Sequence, residues 1–421
     1  MRPRKVLFIE TSPDPSFGGS KRVLVNLLGL LDRNRFVPRV LFAREGAFVD
    51  AVRHLGVEFE IEPTLVPPAR RSRLERPASE DTIRKRVGVR RRADGEIERT
   101  GFRETVRNVR STLHYQLRDR QRANQLLRRV PADIDLLHVN SPMHQQFVWA
   151  HVARSRGVPF VTHEHGIWRR PPSAFRAVAR EAAALFCLTE DRVESVRQFC
   201  GERARPVLLP NGVDLLTFRA ERTAADVRSE LAIPDGSRLL ITSSHIQRWK
   251  GQNLVVEAAK QLADAGVSFV WVLCGRILEP DFEAELRGEI ERLDLGERVR
   301  FLGERSDVPD LLGAADVSIH TAVEPEPFGM VVIESMAVGT PVVGPREGAI
   351  PSILADGAAG GLYEPRDASD LARELERLLR DDAAREQVST TASARVESTY
   401  SLREQVRRLE ATYDEIFARL A

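Results

Sequence analysis

The sequence predicts an α/β protein built as two Rossmann-like, doubly wound domains facing each other across a cleft. Three observations carry that prediction. Short runs of continuous apolar residues recur along most of the chain, the pattern of parallel strands buried on both faces. Segments of helical period separate them, which makes βαβ units. The runs also fall into two sets, divided near Leu209-Pro210-Asn211-Gly212, where proline, asparagine and glycine supply turn chemistry for a hinge. A chain of 421 residues is long enough for two or three domains of roughly 150 residues each.

In the first half the strands are expected at 6–9, 37–42, 136–139, 160–162, 184–188 and 206–209. In the second half they are expected at 239–243, 267–274, 299–302, 317–320 and 341–343. After Gly361 the pattern reads as wholly helical, with an amphipathic helix over 367–379 and a longer one over 401–420. Ser401 would cap the latter, and Glu404 three residues on completes a capping box. The domains are accordingly expected at 1–205 and 206–400, with the last helix, 401–421, packing back on the first domain. Open parallel sheets bind ligands beyond the carboxyl ends of their strands, and a cleft between domains is a common pocket position. Chemistry is therefore expected in loops that follow strands of both halves.

A net charge of +2 with 6% aromatic residues argues against a protein that binds nucleic acid through its global charge or by base stacking. With 42% hydrophobic residues the chain is not wholly disordered. The total hides an asymmetry. Residues 69–129 hold 19 Lys+Arg against 8 Asp+Glu, a local charge of +11, so the rest of the chain carries −9. The first part of this segment, with Arg70-Arg71, Arg84-Lys85-Arg86 and Arg90-Arg91-Arg92, reads as a loop. From about 101 to 129, Phe102, Val106, Val109, Leu113, Leu117 and Leu127 recur near helical spacing, which predicts a helix with an arginine-rich outer face. Two readings stand side by side, a solvated face and a contact with an anionic membrane surface or anionic acceptor.

Cys187, Cys200 and Cys274 are widely spaced and suggest neither a disulfide framework nor a metal site. The apolar stretch 6–9 stops at Glu10, too short for a signal-peptide core. No run approaches the ~18 apolar residues of a membrane span. The expected location is cytoplasmic, with a peripheral seat on the inner face of the membrane as the alternative to free solution.

The most informative stretch runs from Glu324 to Val343. A strand is followed by a Pro/Glu loop, and Gly329 opens a helix, where backbone N–H groups attract phosphate. Glu326 lies at the loop tip. Glu334, eight residues on, stands among Val331, Val332, Ile333 and Met336, and a carboxylate there needs a partner. This stretch resembles the E-x7-E motif of glycosyltransferase family 4, retaining enzymes of the GT-B fold, and the resemblance extends across nearly the whole chain. It implies that Glu326 and the backbone that follows, at Phe328, Gly329 and Met330, hold a donor sugar. Glu334 would bind the ribose hydroxyls of the nucleotide.

Upstream, Ser243 to Gln252 is similar to the family's Gly-Arg-x5-Lys-Gly loop, which clamps the donor diphosphate. Lys250-Gly251 matches, whereas Ser244 and His245 stand where Gly and Arg are usual. Arg248 is expected to supply part of the missing charge. Gly18-Gly19-Ser20-Lys21-Arg22 resembles the family's Gly-Gly-x-Glu-Arg loop, with Gly18 and Gly19 on the acceptor side and Gly19 also beside the donor phosphate. His165-Gly166 matches the family's strand-end histidine, which faces the reaction centre, while His163 packs nearby. Cys274-Gly275-Arg276 stands where relatives keep a glycine loop beside the nucleotide. Gly348-Ala349-Ile350-Pro351-Ser352 lacks the family's second glycine and following glutamate. Asp133-Ile134-Asp135 precedes a strand and reads as structural.

The resemblance therefore implies a retaining transferase that moves a sugar from a nucleotide diphosphate sugar to a hydroxyl of a glycan, lipid-linked or small-molecule acceptor. His165, Lys250 and Glu326 are its expected catalytic residues. Gly19, Arg248, Gly275, Phe328, Gly329, Met330 and Glu334 are expected at the donor, with no metal and no cofactor. A nucleotide-sugar epimerase and a non-catalytic sugar-nucleotide-binding protein of the same fold are the alternatives.

Overall fold

Val6, Leu7, Phe8 and Ile9 are all buried, and they alternate between two hydrophobic cores. Val6 and Phe8 pack with Leu24, Leu27 and Phe36, while Leu7 and Ile9 pack with Leu137, Val139 and Trp149. Successive strand residues point to opposite faces, so a run apolar at every position is a strand with helices on both sides. The computed structural model describes residues 2–11, 19–65, 120–140, 143–166 and 173–421. Most of the basic segment, including its expected helix up to residue 119, lies outside the described residues, and a helix over 120–127 is the part described.

The first domain holds a seven-stranded parallel sheet of β1 (Arg4–Glu10), β2 (Phe36–Phe42), β3 (Glu58–Ile61), β4 (Leu136–Asn140), β5 (Phe160–His163), β6 (Ala184–Cys187) and β7 (Pro206–Leu208). Its spatial order is β3-β2-β1-β4-β5-β6-β7, with Val6 opposite Leu136 and Val161 opposite Ala184. The second domain holds six parallel strands, β8 (Arg238–Ser243), β9 (Phe269–Cys274), β10 (Val299–Gly303), β11 (Val317–Ile319), β12 (Val342–Pro345) and β13 (Gly361–Tyr363), in the order β10-β9-β8-β11-β12-β13. Both sheets are doubly wound, as the alternation of runs predicts. The strand order reverses between β1 and β4 and between β8 and β11, and crevices open at such switch points.

Two expectations need correction. Past Gly361 the chain is not wholly helical, because Gly361–Tyr363 forms β13 against β12, with Val343 opposite Gly361. Three residues beginning with glycine carry no strand signature of their own; the neighbouring edge recruits them. β3 was also not expected. Its Glu-Phe-Glu-Ile sequence alternates at an edge, with Glu58 and Glu60 facing solvent. Asp135 accepts from the backbone N–H of Lys5 at 2.8 Å and from Arg2, and Asp133 pairs with Lys5 and Arg39. Both carboxylates therefore sit at the entry of β4 in structural contacts.

The last helix, Leu402–Leu420, joins the first domain's core through Leu402, Val406, Leu409, Tyr413 and Ile416. Those positions recur at three- and four-residue steps, one stripe of a helix. Ser401 accepts from the N–H of Glu404 as its cap. Glu410 accepts from the N–H of Asp32 at 2.7 Å and from Arg35 at 2.6 Å. The two passages between domains are bonded to each other. Val213 donates to the carbonyl of Tyr400, Leu402 donates to Val213, and Gly212 donates to the side chain of Gln405. No helix among the described residues is long and apolar enough to cross a membrane.

Candidate functional site

Two loops of the second domain meet beyond the carboxyl ends of β8 and β11. The first leaves β8 at Ser243 and closes in a short 3-10 turn, Arg248–Lys250. The second leaves β11 at Ile319 and ends at Gly329, which opens the helix Met330–Ala337. Thr321 donates its hydroxyl to the carbonyl of Lys250 at 2.8 Å, and the N–H of Val323 donates to Trp249 at 2.9 Å. Gly251 follows with φ of 69°, and a Cβ there would lie 2.1 Å from the Thr321 carbonyl oxygen. Only glycine suits both the left-handed backbone and that approach. Gly275, at the end of β9, is equally confined, since a Cβ would lie 2.1 Å from the carbonyl oxygen of Ser244. The glycine loop thereby supports the clamp loop from behind.

This stitching brings three titratable groups together. The Lys250 ammonium donates to Glu326 Oε2 at 2.7 Å and stands 3.9 Å from the centre of the Trp249 ring. His320, buried at the end of β11, places Nε2 3.5 Å from the same oxygen. Burial by itself pushes the Glu326 carboxyl up, but His320 and then Lys250 outweigh it and bring the pKa down to about 2. Glu326 is thus a fixed anion and Lys250 a held cation, next to the first-turn N–H groups of the helix that Gly329 opens. Phe328 is buried in the core behind that turn, with Val332 and Ile333.

Glu334 lies on the same helix between Val332, Ile333 and Met336, its side chain 9% exposed. Burial pushes its carboxyl up, and Arg22 opposes the shift. The Arg22 guanidinium donates to Glu334 Oε1 at 2.6 Å. Arg22 belongs to the other domain, on the helix Gly19–Leu30 that follows β1. Met330 crosses the same boundary, packing against the first domain's core as well as its own.

Across the cleft, the carboxyl ends of β1, β4 and β5 present Glu10, Asn140 and His165. Asn140 donates Nδ2 to Glu10 at 2.6 Å, so its Oδ1 accepts from His165 Nε2 at 2.7 Å. That arrangement leaves His165 Nδ1 as the acceptor of the ring. Burial lowers the His165 pKa to about 4, so the ring is neutral. The His165 ring lies 4.1 Å from that of His163, tilted by 35°; His163 lies 5.6 Å from His138, and His138 bonds the Tyr413 hydroxyl at 2.5 Å. Glu164 and Gly166 line one pocket with Pro327 of the glutamate loop, so the two halves of the site share a wall.

Most of the residues singled out from sequence fall in these clusters: Lys250, Glu326, Phe328, Gly329, Met330, Glu334 and Gly275 in the second domain and His165 in the first, while Gly19 begins the helix that carries Arg22. Gly18 lies outside the described residues. Arg248 does not join Lys250. Its guanidinium makes two bonds to Glu285, at 2.7 and 2.5 Å, and lies over the Phe282 ring. Residues two apart in a turn of three residues per turn point about 120° apart, and Glu285 holds the expected clamp contribution turned outward. His320, Arg22 and Asn140 were not singled out. The signal available for His320 and Asn140 was a polar residue ending an otherwise buried strand; Arg22 had none beyond its place in the glycine loop. Among the described residues no group of three or more His, Cys, Asp and Glu side chains is placed to hold a metal ion.

Residues 224–395 match the family model of group 1 glycosyl transferases, and residues 86–215 match that of glycosyltransferase family 4. A D-inositol 3-phosphate glycosyltransferase of Catenulispora acidiphila is 30% identical over 315 residues, 68% of this chain and 73% of its own. Its counterpart in Nocardiopsis dassonvillei is 27% identical over 288 residues, 60% of this chain and 66% of its own, so the match spans just under two thirds of that protein. Among solved structures, Anabaena HepE in complex with UDP superposes with a TM-score of 0.76 at 21% identity, covering 98% of this chain and all of the other. A glycosyltransferase of Rickettsia africae gives 0.76 at 17% identity, with 99% of each chain covered. Family models over both halves, a 30% identical relative and a shared two-domain architecture together mean that the chain belongs to glycosyltransferase family 4 and has the GT-B fold.

Proposed function

We propose that the protein is a retaining, metal-independent glycosyltransferase that moves a sugar from a nucleoside diphosphate sugar on the second domain to an acceptor hydroxyl on the first. The observation that carries this reading is the Lys250–Glu326 pair beside the helix start at Gly329. Breaking the bond between the anomeric carbon and the diphosphate releases negative charge. A preorganised ammonium and the positive end of a helix stabilise that charge as it develops. Glu326, held ionised, accepts from the hydroxyls of the donor sugar and keeps Lys250 in position. Glu334 takes the ribose hydroxyls. His165, neutral and fixed by Asn140, offers Nδ1 as an acceptor near the sugar. The acceptor hydroxyl attacks from the face the diphosphate leaves, and the departing phosphate oxygen takes its proton. Domain closure excludes the water that would otherwise hydrolyse the donor.

The acceptor is taken to be anionic. Two relatives are named for inositol 3-phosphate, and the +11 segment at 69–129 belongs to the acceptor-side half. The same charge supports a peripheral seat on an anionic membrane, which salt-sensitive vesicle sedimentation tests with Arg90, Arg91 and Arg92 changed to Glu. His245 in place of the family's arginine favours a second reading, a protein that binds sugar nucleotides without turning them over. A transfer and donor-hydrolysis assay over a donor panel, with inositol 3-phosphate and inositol among the acceptors, separates the two readings. Lys250→Ala, Glu326→Ala and Glu334→Ala are each expected to lose activity, and three fully active variants would sink the assignment.

A further inference from the structure

We propose that Arg22 is an internal stand-in for the donor: it occupies the Glu334 carboxylate in the donor-free protein and must be exchanged for the ribose diol before the donor seats. The inference rests on Glu334 being the ribose carboxylate. Glu334 is buried on an otherwise apolar helix, so its charge needs hydrogen-bond donors aimed at it. Among the described residues the one side chain that donates to it is Arg22, at 2.6 Å, from the opposite domain. A guanidinium and a pair of neighbouring hydroxyls solve the same problem, each presenting donors side by side to a carboxylate. They compete at Oε1, because Arg22 already holds that oxygen and a diol bridging the carboxylate takes it together with Oε2.

The surroundings of the pair fit an exchange better than a permanent strut. Arg22 is 43% exposed, so water can take over its hydrogen bonds when it leaves, whereas Glu334 is enclosed and must find a replacement. Met330, at the start of the same helix, rests on the first domain's core. The two domains are therefore joined at this edge by one ionic and one apolar contact, both on the helix whose N-terminus is the proposed phosphate site. A ligand that needs a group already engaged within the protein binds with its affinity multiplied by the fraction of molecules in which that group is free. Removing Arg22 should then tighten ribose binding, the opposite of what loss of a structural contact would do.

Calorimetry with UDP, ADP and GDP first identifies a diphosphate that the wild-type protein binds. The matching nucleoside, which carries ribose without phosphate, is then competed against that diphosphate in wild type, Arg22→Ala, Arg22→Gln and Arg22→Lys. Thermal unfolding verifies that each variant is folded. The expected result is a nucleoside inhibition constant on the order of tenfold lower in Arg22→Ala and Arg22→Gln, with Arg22→Lys close to wild type and Glu334→Ala much weaker. Unchanged or weaker nucleoside competition in both neutral variants, or no competition in any protein, overturns the exchange while leaving the donor reading intact. Failure of all three diphosphates to bind the wild-type protein overturns the donor reading, and this inference with it.

Discussion

The Lys250 ammonium lies 2.7 Å from Glu326 Oε2, a contact between two loops 76 residues apart in sequence. Each side chain is about one-seventh exposed, 15% and 13%, so water screens the pair only in part. With the reading above, Lys250→Met removes the cation facing the leaving diphosphate, and kcat should fall on the order of 10²–10³-fold. Glu326→Gln keeps the shape and loses the charge that positions Lys250, so kcat should fall more than KM rises. Because the Glu326 pKa is lowered to about 2, its contribution to stability is present above the ordinary carboxylate range and is lost as pH falls toward 2. The acid limb of a rate profile between pH 5 and 7 should therefore be unchanged in shape in Glu326→Gln. Steady-state kinetics across that range checks both statements.

Gly251→Ala tests how tightly the clamp loop is stitched. The new Cβ would meet the Thr321 carbonyl oxygen at 2.1 Å in a backbone of positive φ. Strain of ~1–3 kcal/mol is expected from the backbone alone, and relief would pull the 3-10 turn away from the β11 loop. Urea unfolding should show the loss, and donor affinity should fall together with it. A variant of wild-type stability and affinity would contradict this account of the loop.

His245 stands where the family has arginine. Burial, and then the charge of Lys250, lower its pKa, with Arg276 adding to the effect and Glu304 opposing it. In the donor-free protein at pH 7 the ring is therefore neutral. A bound diphosphate favours the charged form and raises the pKa, so donor affinity should increase as pH falls from about 8 to 6. His245→Gln should flatten that dependence, and His245→Arg should bind more tightly with little pH dependence. Calorimetric titration at three pH values measures all three proteins.

The buried histidines make stability sensitive to acid. Burial holds His138 down at about 3 and His165 at about 4, and His163 falls well below its ordinary value. A depressed native pKa means that the unfolded chain binds protons which the folded chain refuses. Stability is therefore fully present above about pH 6.5 and is lost as pH falls through the native pKa values, at up to about 1.4 kcal/mol per pH unit for each group. Neither His163 ring nitrogen has a hydrogen-bond partner. His163→Leu should thus remove one group's share of the slope between pH 6.5 and 4. Chemical denaturation at a series of pH values reads that slope directly.

Much of the architecture was legible because it is written in local patterns. The run at 6–9 is apolar at every position, 136–139 is so except for His138, and 239–243 opens on Leu-Leu-Ile; a doubly wound sheet is the arrangement that buries both faces of such strands. The stripe Leu402, Val406, Leu409, Tyr413 and Ile416 announced a helix in need of a surface. β13 was not legible, since Gly361-Leu362-Tyr363 becomes a strand only through pairing with Val343 to Pro345. The placement of Arg248 was not legible either. Whether its side chain reaches the clamp or Glu285 depends on two degrees of turn geometry, the 3-10 pitch and the approach of the helix Pro280–Arg292.

By itself, the sequence determined the parallel sheets, the glutamate spacing of Glu326 and Glu334, and the chemistry each loop can offer. Those depend on residue type and on contacts within a few positions. The tertiary structure alone decided the partners: Glu326 with Lys250 and His320, His165 with Asn140, and Glu334 with Arg22 across the domain boundary, 312 residues away. Such pairings follow from strand order and domain closure, because a buried charge accepts whichever donor the packing brings within reach.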